Sequence, residues 1–369
     1  MTPQAAQTAC GEDYMADCKL LVFAPRDEPA ALLKPIEDAG VTIEIGDPAW
    51  QWEQRDHTQA FIAAARDSAA MMGSMVRCAP ITRAVLESAQ RLRVVAKYTV
   101  GVDDVDVDAA TDLGILVCHA PTEANCFGVA ETTMTLMLTV LKKVRERDQH
   151  VRNFGWRQPS LANTYVGSRM SDGAAGVTVG IVGLGRIGQR VAQFLAPWRV
   201  RVIAYDPYAP PARFLLSDVE RVDYETLLRE ADVVSFHVTL TAETRFMMDE
   251  KELALMKRTA IVINTARGKV IREEALAKAI REERLRGAAL DVFESEPLPE
   301  NSPLRDLGDR ILLSPHAASY TAGGELRPGM VWAVKSVLTA LRGEVPDNVY
   351  NTEVIPRWKE RFGGSSAIG

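Results

Sequence analysis

Cysteine is scarce in this chain, and what there is shows no pairing pattern. The five cysteines, Cys10, Cys18, Cys78, Cys118 and Cys126, form no C-x-x-C and leave an odd count. That argues against a disulfide framework and against a metal site, and it fits a reducing cytoplasm. A basic excess is missing too. The formal net charge of −6 gives no field for nucleic acid, and arginine-rich pieces such as Arg281-Glu-Glu-Arg-Leu-Arg286 are interleaved with acids. Long apolar runs are also absent. The longest apolar helical candidate, Thr132 to Leu141, carries four threonines and reads as too short to span a membrane. Residues 1–17 are polar and lack the apolar core of a signal peptide, so a flexible tail is expected there. No internal repeat is visible.

What is present is room and regularity. The 369 residues, 47% hydrophobic and 25% charged, suit a soluble globular protein of two domains. The first half alternates short apolar strands (19–23, 41–45, 69–72, 94–98, 115–118) with helices (30–39, 58–65, 82–88, 107–113). Such alternation argues a parallel sheet covered on both faces. One long helix is expected over 123–152, followed by a polar, glycine-rich excursion over 153–176. The alternation then resumes, with strands at 201–205, 233–236, 260–264, 287–292 and 311–314. A closing helix is read over 330–342.

The mid-chain stretch Val177-Thr-Val-Gly-Ile-Val-Gly-Leu-Gly-Arg-Ile-Gly188 reads as strand, turn and helix start. In G-x-G-x-x-G, Gly183 permits the tight turn, Gly185 lets backbone amides approach a pyrophosphate, and Gly188 lets helix and strand pack closely. The helix N-terminus offers unpaired N–H groups to the phosphates. Asp206 ends the next strand, 18 residues past Gly188. It suits the two ribose hydroxyls and repels a 2′-phosphate, which favours NAD over NADP.

Three polar positions follow strand ends in the second half: Arg267, Glu296 and His316. Open α/β sheets place ligands at those ends. A cation can fork onto a substrate carboxylate, and an imidazole can donate the proton that hydride transfer to a 2-oxo acid requires. A carboxylate beside the ring favours its charged form. Each residue also has a bland alternative. Arg267 would suit a surface, Asp291 a strand end, and His316 or His237 a satisfied structural role. On residue type alone, Glu294 competes with Glu296.

The ordered motifs Thr99-Val-Gly-Val-Asp103, Val179 to Gly188, His237-Val-Thr-Leu-Thr241, Asn264-Thr-Ala-Arg-Gly268, Asp291-Val-Phe-Glu-Ser-Glu-Pro297 and Pro315-His316 resemble the D-isomer-specific 2-hydroxyacid dehydrogenase family over nearly all of residues 19–355. The resemblance is to its phosphoglycerate dehydrogenase and glyoxylate/hydroxypyruvate reductase members. It implies Arg267, Glu296 and His316 as the catalytic set, with Val100, Gly101, Arg267 and His316 on the substrate. Toward NAD it implies Gly183, Gly185, Arg186, Ile187, Gly188, Asp206, Val238, Thr239, Thr265, Ala266, Arg267, Asp291 and His316. Lys97 and Tyr320 fall in substrate-proximal segments, and Arg77 with Lys97 keeps a phosphorylated substrate open. The segment 315–320 is similar to the C-terminal-binding-protein branch, which carries a tryptophan where this chain has Ser319. The chain does not continue into the regulatory extension of the longest phosphoglycerate dehydrogenases, so serine feedback is not expected.

The implied fold is α/β, with two doubly wound parallel-sheet domains. A Rossmann NAD-binding domain (123–317) is inserted into a discontinuous flavodoxin-like substrate domain (18–122 and 318–355), with 1–17 and 356–369 as flexible tails. The implied function is NAD-dependent interconversion of a small 2-oxo acid and a D-2-hydroxy acid by a cytoplasmic homodimer, paired through 123–152 and Trp156. It involves no metal, membrane or nucleic acid. The alternative is an NAD(H)-sensing, corepressor-like binding protein with little catalysis.

Overall fold

A computed structural model describes residues 18–24, 30–76, 78–319 and 326–368. The expectations for residues 1–17, Arg77 and Tyr320 fall outside those residues. The chain divides into two compact units, Met1–Asn125 with Gly324–Gly369, and Cys126–Gly323.

The first unit holds five strands: β1 Lys19–Ala24, β2 Thr42–Ile45, β3 Ser68–Gly73, β4 Val94–Lys97 and β5 Leu116–Cys118. All pair in parallel, in the order β2-β1-β3-β4-β5, the flavodoxin-like arrangement. Every residue of β3 and β4 is buried, because apolar layers cover both faces. On one face lies the returning helix Arg327–Leu341, packed on β3 and β4. A side chain at Gly329 would sit 1.9 Å from the Tyr98 carbonyl oxygen, so glycine is what admits this close approach.

The second unit adds β6 Thr178–Val182, β7 Arg201–Tyr205, β8 Glu220–Arg221, β9 Val233–Phe236, β10 Ile261–Asn264, β11 Gly287–Leu290 and β12 Ile311–Leu313. Their order is β12-β11-β10-β9-β6-β7-β8, again parallel throughout. Renumbered within the unit, the first six strands follow the Rossmann order, with the strand-order reversal beside β6. Phe236 and Ile263 are fully buried on this sheet, each contributing about 1.5–3 kcal/mol by leaving water. Strand β8 went unread because its two residues are charged and exposed.

Three expectations are corrected. The long helix over 123–152 is two helices, Glu123–Lys142 and Val144–Arg152, broken at Lys143 with φ of 52°. Lys142 and Lys143 donate to the carbonyls of Thr164 and Ser160 at 2.8 and 2.7 Å, tying the break to the excursion that follows. The stretch 132–141 lies inside the first of these helices, whose 20 residues are long and apolar enough to cross a membrane by length and composition, so the apolar element is longer than expected. Its Ala130, Met134, Met137 and Leu141 instead pack in the core of the second unit. The stretch 356–369 is not a loose tail over its described residues, which end at 368. Helix Ile355–Phe362 buries Trp358 completely, and the indole N–H donates to the Arg93 carbonyl at 2.9 Å. Beyond it Ala367 donates to the Leu341 carbonyl at 2.7 Å, and Ile368 is buried. The apolar spacing Ile355, Trp358, Phe362 marks one helix face, which the glycine and serine that follow obscure.

The excursion 153–176 is strapped down rather than free. Thr164 donates to the Leu141 carbonyl, Val177 to the Val166 carbonyl, and Arg286 reaches the Thr164 hydroxyl at 2.7 Å.

Candidate active site

Each glycine of the turn after β6 has its own geometric reason. Gly183 takes φ of +94°, and a Cβ there would lie 2.9 Å from the backbone of His237 and from Val238. A Cβ on Gly188 would sit 2.2 Å from the Gly183 carbonyl oxygen, so helix Arg186–Leu195 and β6 can only meet at a glycine. Gly185, the residue before that helix, faces open space, with nothing within 4 Å of a built Cβ. A half-buried backbone at a helix N-terminus beside open space is what a pyrophosphate needs. The residues present therefore fit NAD.

Asp206 closes the next edge of this cradle. One carboxylate oxygen accepts from the Leu184 amide at 2.9 Å, and the other from the Tyr208 and Ala209 amides at 3.0 Å. Three amides thus fix the carboxylate against the glycine turn. Val238 is half-buried against Gly183, whereas Thr239 and Arg186 are exposed and Ile187 is half-buried. His237 is a structural residue by its surroundings. Its Nε2 meets the Ser235 hydroxyl at 2.9 Å, and burial pushes the ring down to about 3.

The loop after β10 carries Thr265, Ala266 and Arg267. Asn264 organises it, accepting from the Ala266 amide at 3.0 Å and donating to the Arg267 carbonyl at 2.9 Å. The Thr265 hydroxyl points inward to that of Thr133, 2.8 Å away. At Gly268 a Cβ would fall 1.8 Å from the Phe293 carbonyl carbon. That contact presses the arginine loop directly on the loop that holds Glu296.

Glu296 and His316 meet. The imidazole Nδ1 lies 2.9 and 2.7 Å from the two carboxylate oxygens, and both side chains are mostly buried. Glu296 also accepts from the Phe293 amide at 3.0 Å, which fixes its rotamer. Glu294, its rival by residue type, is engaged elsewhere. It accepts from the Glu273 amide at 2.6 Å, and Glu273 in turn accepts from the Glu294 amide at 2.5 Å. Burial pushes the Glu273 carboxyl up to about 7, with the charges of Glu294 and Glu296 adding to the shift.

Asp291 is fully buried. It accepts from the Ser314 hydroxyl at 2.5 Å and from the Ala317 and Ala318 amides at 2.9 Å. Those donors bracket His316, which sits at φ of 52°, a left-handed conformation that a histidine rarely holds without support. Asp291 therefore holds the histidine loop, a role that residue type alone could not distinguish from ending a strand.

Residues 134–318 match the model of the D-isomer specific 2-hydroxyacid dehydrogenase NAD binding domain. A glyoxylate reductase of Korarchaeum cryptofilum is 38% identical over 341 residues, covering 90% of this chain and 96% of its own. The chain belongs to the D-isomer-specific 2-hydroxyacid dehydrogenase family. A D-3-phosphoglycerate dehydrogenase of Methanocaldococcus jannaschii is 39% identical over 76% of this dehydrogenase, which spans about half (51%) of that longer protein. Among solved structures, D-lactate dehydrogenase of Aquifex aeolicus, complexed with NAD and lactic acid, aligns with a TM-score of 0.76 at 25% identity, covering 90% of this chain and 99% of its own. This dehydrogenase is thus an NAD-dependent oxidoreductase of 2-hydroxy acids, and the corepressor alternative is not favoured.

The first unit of the dehydrogenase carries the remaining expected site residues. Val100 and Gly101 lie in the turn after β4, where the Thr99 hydroxyl donates to the Gly101 carbonyl at 3.0 Å. His119, which sequence reading passed over, has its Nδ1 3.2 Å from the Val100 carbonyl, and burial pushes its ring below the usual range. Lys97 is fully buried. Its ammonium lies 2.5 Å from the Asp104 carboxylate and donates to the Ser74 carbonyl at 2.5 Å. His119, Thr133, Glu273 and Ser314 had no signal in the sequence, because each acts through a partner remote in the chain.

Proposed function

We propose that this enzyme interconverts a small, unphosphorylated 2-oxo acid such as glyoxylate with the corresponding D-2-hydroxy acid. His316 is the general acid and base, Glu296 its orienting partner, and Arg267 the residue that binds the substrate carboxylate and polarises the adjacent carbonyl. The single observation that carries this reading is the Glu296–His316 pair, with Nδ1 on both carboxylate oxygens. A proton shared at Nδ1 leaves Nε2 as the atom that exchanges a proton with substrate. NAD bound in the glycine cradle supplies or accepts the hydride. In reduction, His316 protonates the alkoxide oxygen as it forms, and Glu296 holds the ring in place to do so. Asp206 takes the adenosine ribose, Arg186, Ile187, Val238, Thr239, Thr265 and Ala266 line the rest of the cofactor path, and Asp291 acts behind it by holding the His316 loop.

The buried Lys97–Asp104 pair supports an unphosphorylated substrate, since Lys97 has its charge matched inside the fold. Exposed Val151, Phe154 and Trp156, 55%, 100% and 74% accessible, support homodimerisation through the second unit.

NADH oxidation with a panel of 2-oxo acids tests the reading. His316→Ala lowers kcat by about a hundredfold or more, the scale of a lost general acid, while NADH still binds. Turnover across the panel that does not depend on His316 refutes it, and binding of NADH with no turnover at all favours a sensor.

A further inference from the structure

We propose that Glu273 is a positioning residue for the Glu296–His316 pair, holding the Glu296 loop through the amide of Glu294. The proposal rests on the reading of that pair as the proton-handling site.

Helix Glu273–Arg281 begins without a local cap, since Arg272 makes no side-chain hydrogen bond to its first turn. Arg272 is turned to Asp249, 2.8 Å away. The orphan N–H groups at such a start need acceptors from elsewhere. Glu294 supplies one from the loop after β11, and Glu273 returns a bond to the Glu294 amide. The exchange locks the helix start to the loop in both directions.

Within that loop, two consecutive amides are held by carboxyl groups. Phe293 donates to Glu296, and Glu294 donates to Glu273. Gly268 presses on the Phe293 carbonyl as well. The peptide that precedes Glu296 therefore has three constraints, of which Glu273 is the one supplied by a helix. Glu273 is itself only 9% exposed, and its carboxyl is close enough to feel the Glu296 charge. Loss of its acceptor oxygen frees the Glu294 amide and loosens the backbone that aims Glu296 at the imidazole. Errors of an ångström in such aim reduce rate steeply.

The experiment compares the full-length enzyme with Glu273→Ala and Glu273→Gln, using His316→Ala as the reference. Glutamine keeps a neutral acceptor oxygen, whereas alanine removes it. Amide hydrogen exchange in the peptide spanning 291–297 is expected to quicken about tenfold in the alanine variant and to remain slow in the glutamine variant. In parallel, kcat for 2-oxo acid reduction falls about tenfold in the alanine variant with NADH affinity unchanged, and glutamine recovers most of the loss. Full kcat in Glu273→Ala overturns the proposal. So does an equal loss in both variants accompanied by faster exchange throughout the second unit, which marks a helix cap without a role in aiming Glu296. If turnover of the unaltered enzyme does not need His316, the underlying reading fails with it. If turnover needs His316 and not Glu273, only the present proposal fails.

Discussion

Replacing Asp291 by Asn removes a negative charge and one acceptor oxygen from a site with no access to water. Asp291 accepts three hydrogen bonds, from the Ser314 hydroxyl and the Ala317 and Ala318 amides. An amide oxygen in its place still accepts two of them, but the –NH2 group then faces an N–H donor. A hydrogen bond to a charged acceptor contributes about 1.5–3 kcal/mol, and a buried N–H left without a partner costs about 1–3 kcal/mol. Some of this is offset because a buried carboxylate no longer has to be desolvated. The net expectation is a loss of about 3 kcal/mol. In a unit of about two hundred residues, that lowers Tm by about 6–12 °C. The assay is thermal and denaturant unfolding of the enzyme without cofactor. That condition matters, because a residue that only touched NAD would change affinity and leave the cofactor-free protein as stable as before. An unchanged cofactor-free Tm would refute the assignment of Asp291 to the histidine loop. A second expected consequence is a fall in kcat, since His316 depends on this clamp to remain at positive φ.

Other outcomes follow from the same geometry. Asp206→Ala is expected to raise the NADP-to-NAD ratio of kcat/KM by about tenfold or more, as loss of one charge-assisted contact would give; unchanged selectivity would show that Asp206 does not read the ribose. Trp358→Ala should destabilise the first unit by about 3–5 kcal/mol, the usual scale for emptying a buried tryptophan site. A stability within 1 kcal/mol of the parent in urea unfolding would contradict the docked C-terminal helix.

What was legible in the sequence had local causes. Gly183, Gly185 and Gly188 declare themselves because turn, approach and packing each need glycine within six residues. The strands are equally legible, since β9 and β10 are buried on both faces and leave only Ser235 and Asn264 polar. The residue choices that depend on distant partners were not. Glu294 and Glu296 are the same residue type two positions apart, and only the fold places Glu273 beside one and His316 beside the other. Lys97 read as a cation near substrate because nothing in sequence announces that Asp104 neutralises it. The helix break at Lys143 was hidden for a similar reason, as lysine carries no preference for a left-handed backbone and the Ser160 carbonyl that its ammonium reaches lies 17 residues further on.

The returning helix Arg327–Leu341 has a consequence for the order of events on the ribosome. The face of the first sheet that it covers, with Ala70, Met72 and Ala96 on it, is translated about 230 to 260 residues earlier. The intervening unit contains its own apolar layers and can close first, while that older face waits without its lid. Long sequence separation of this kind slows assembly and leaves sticky surface bare. Nascent chains arrested after residue 320 are therefore expected to bind a hydrophobic dye or a holdase, and to release it once the last fifty residues emerge; equal dye binding before and after would argue that the first sheet needs no such cover.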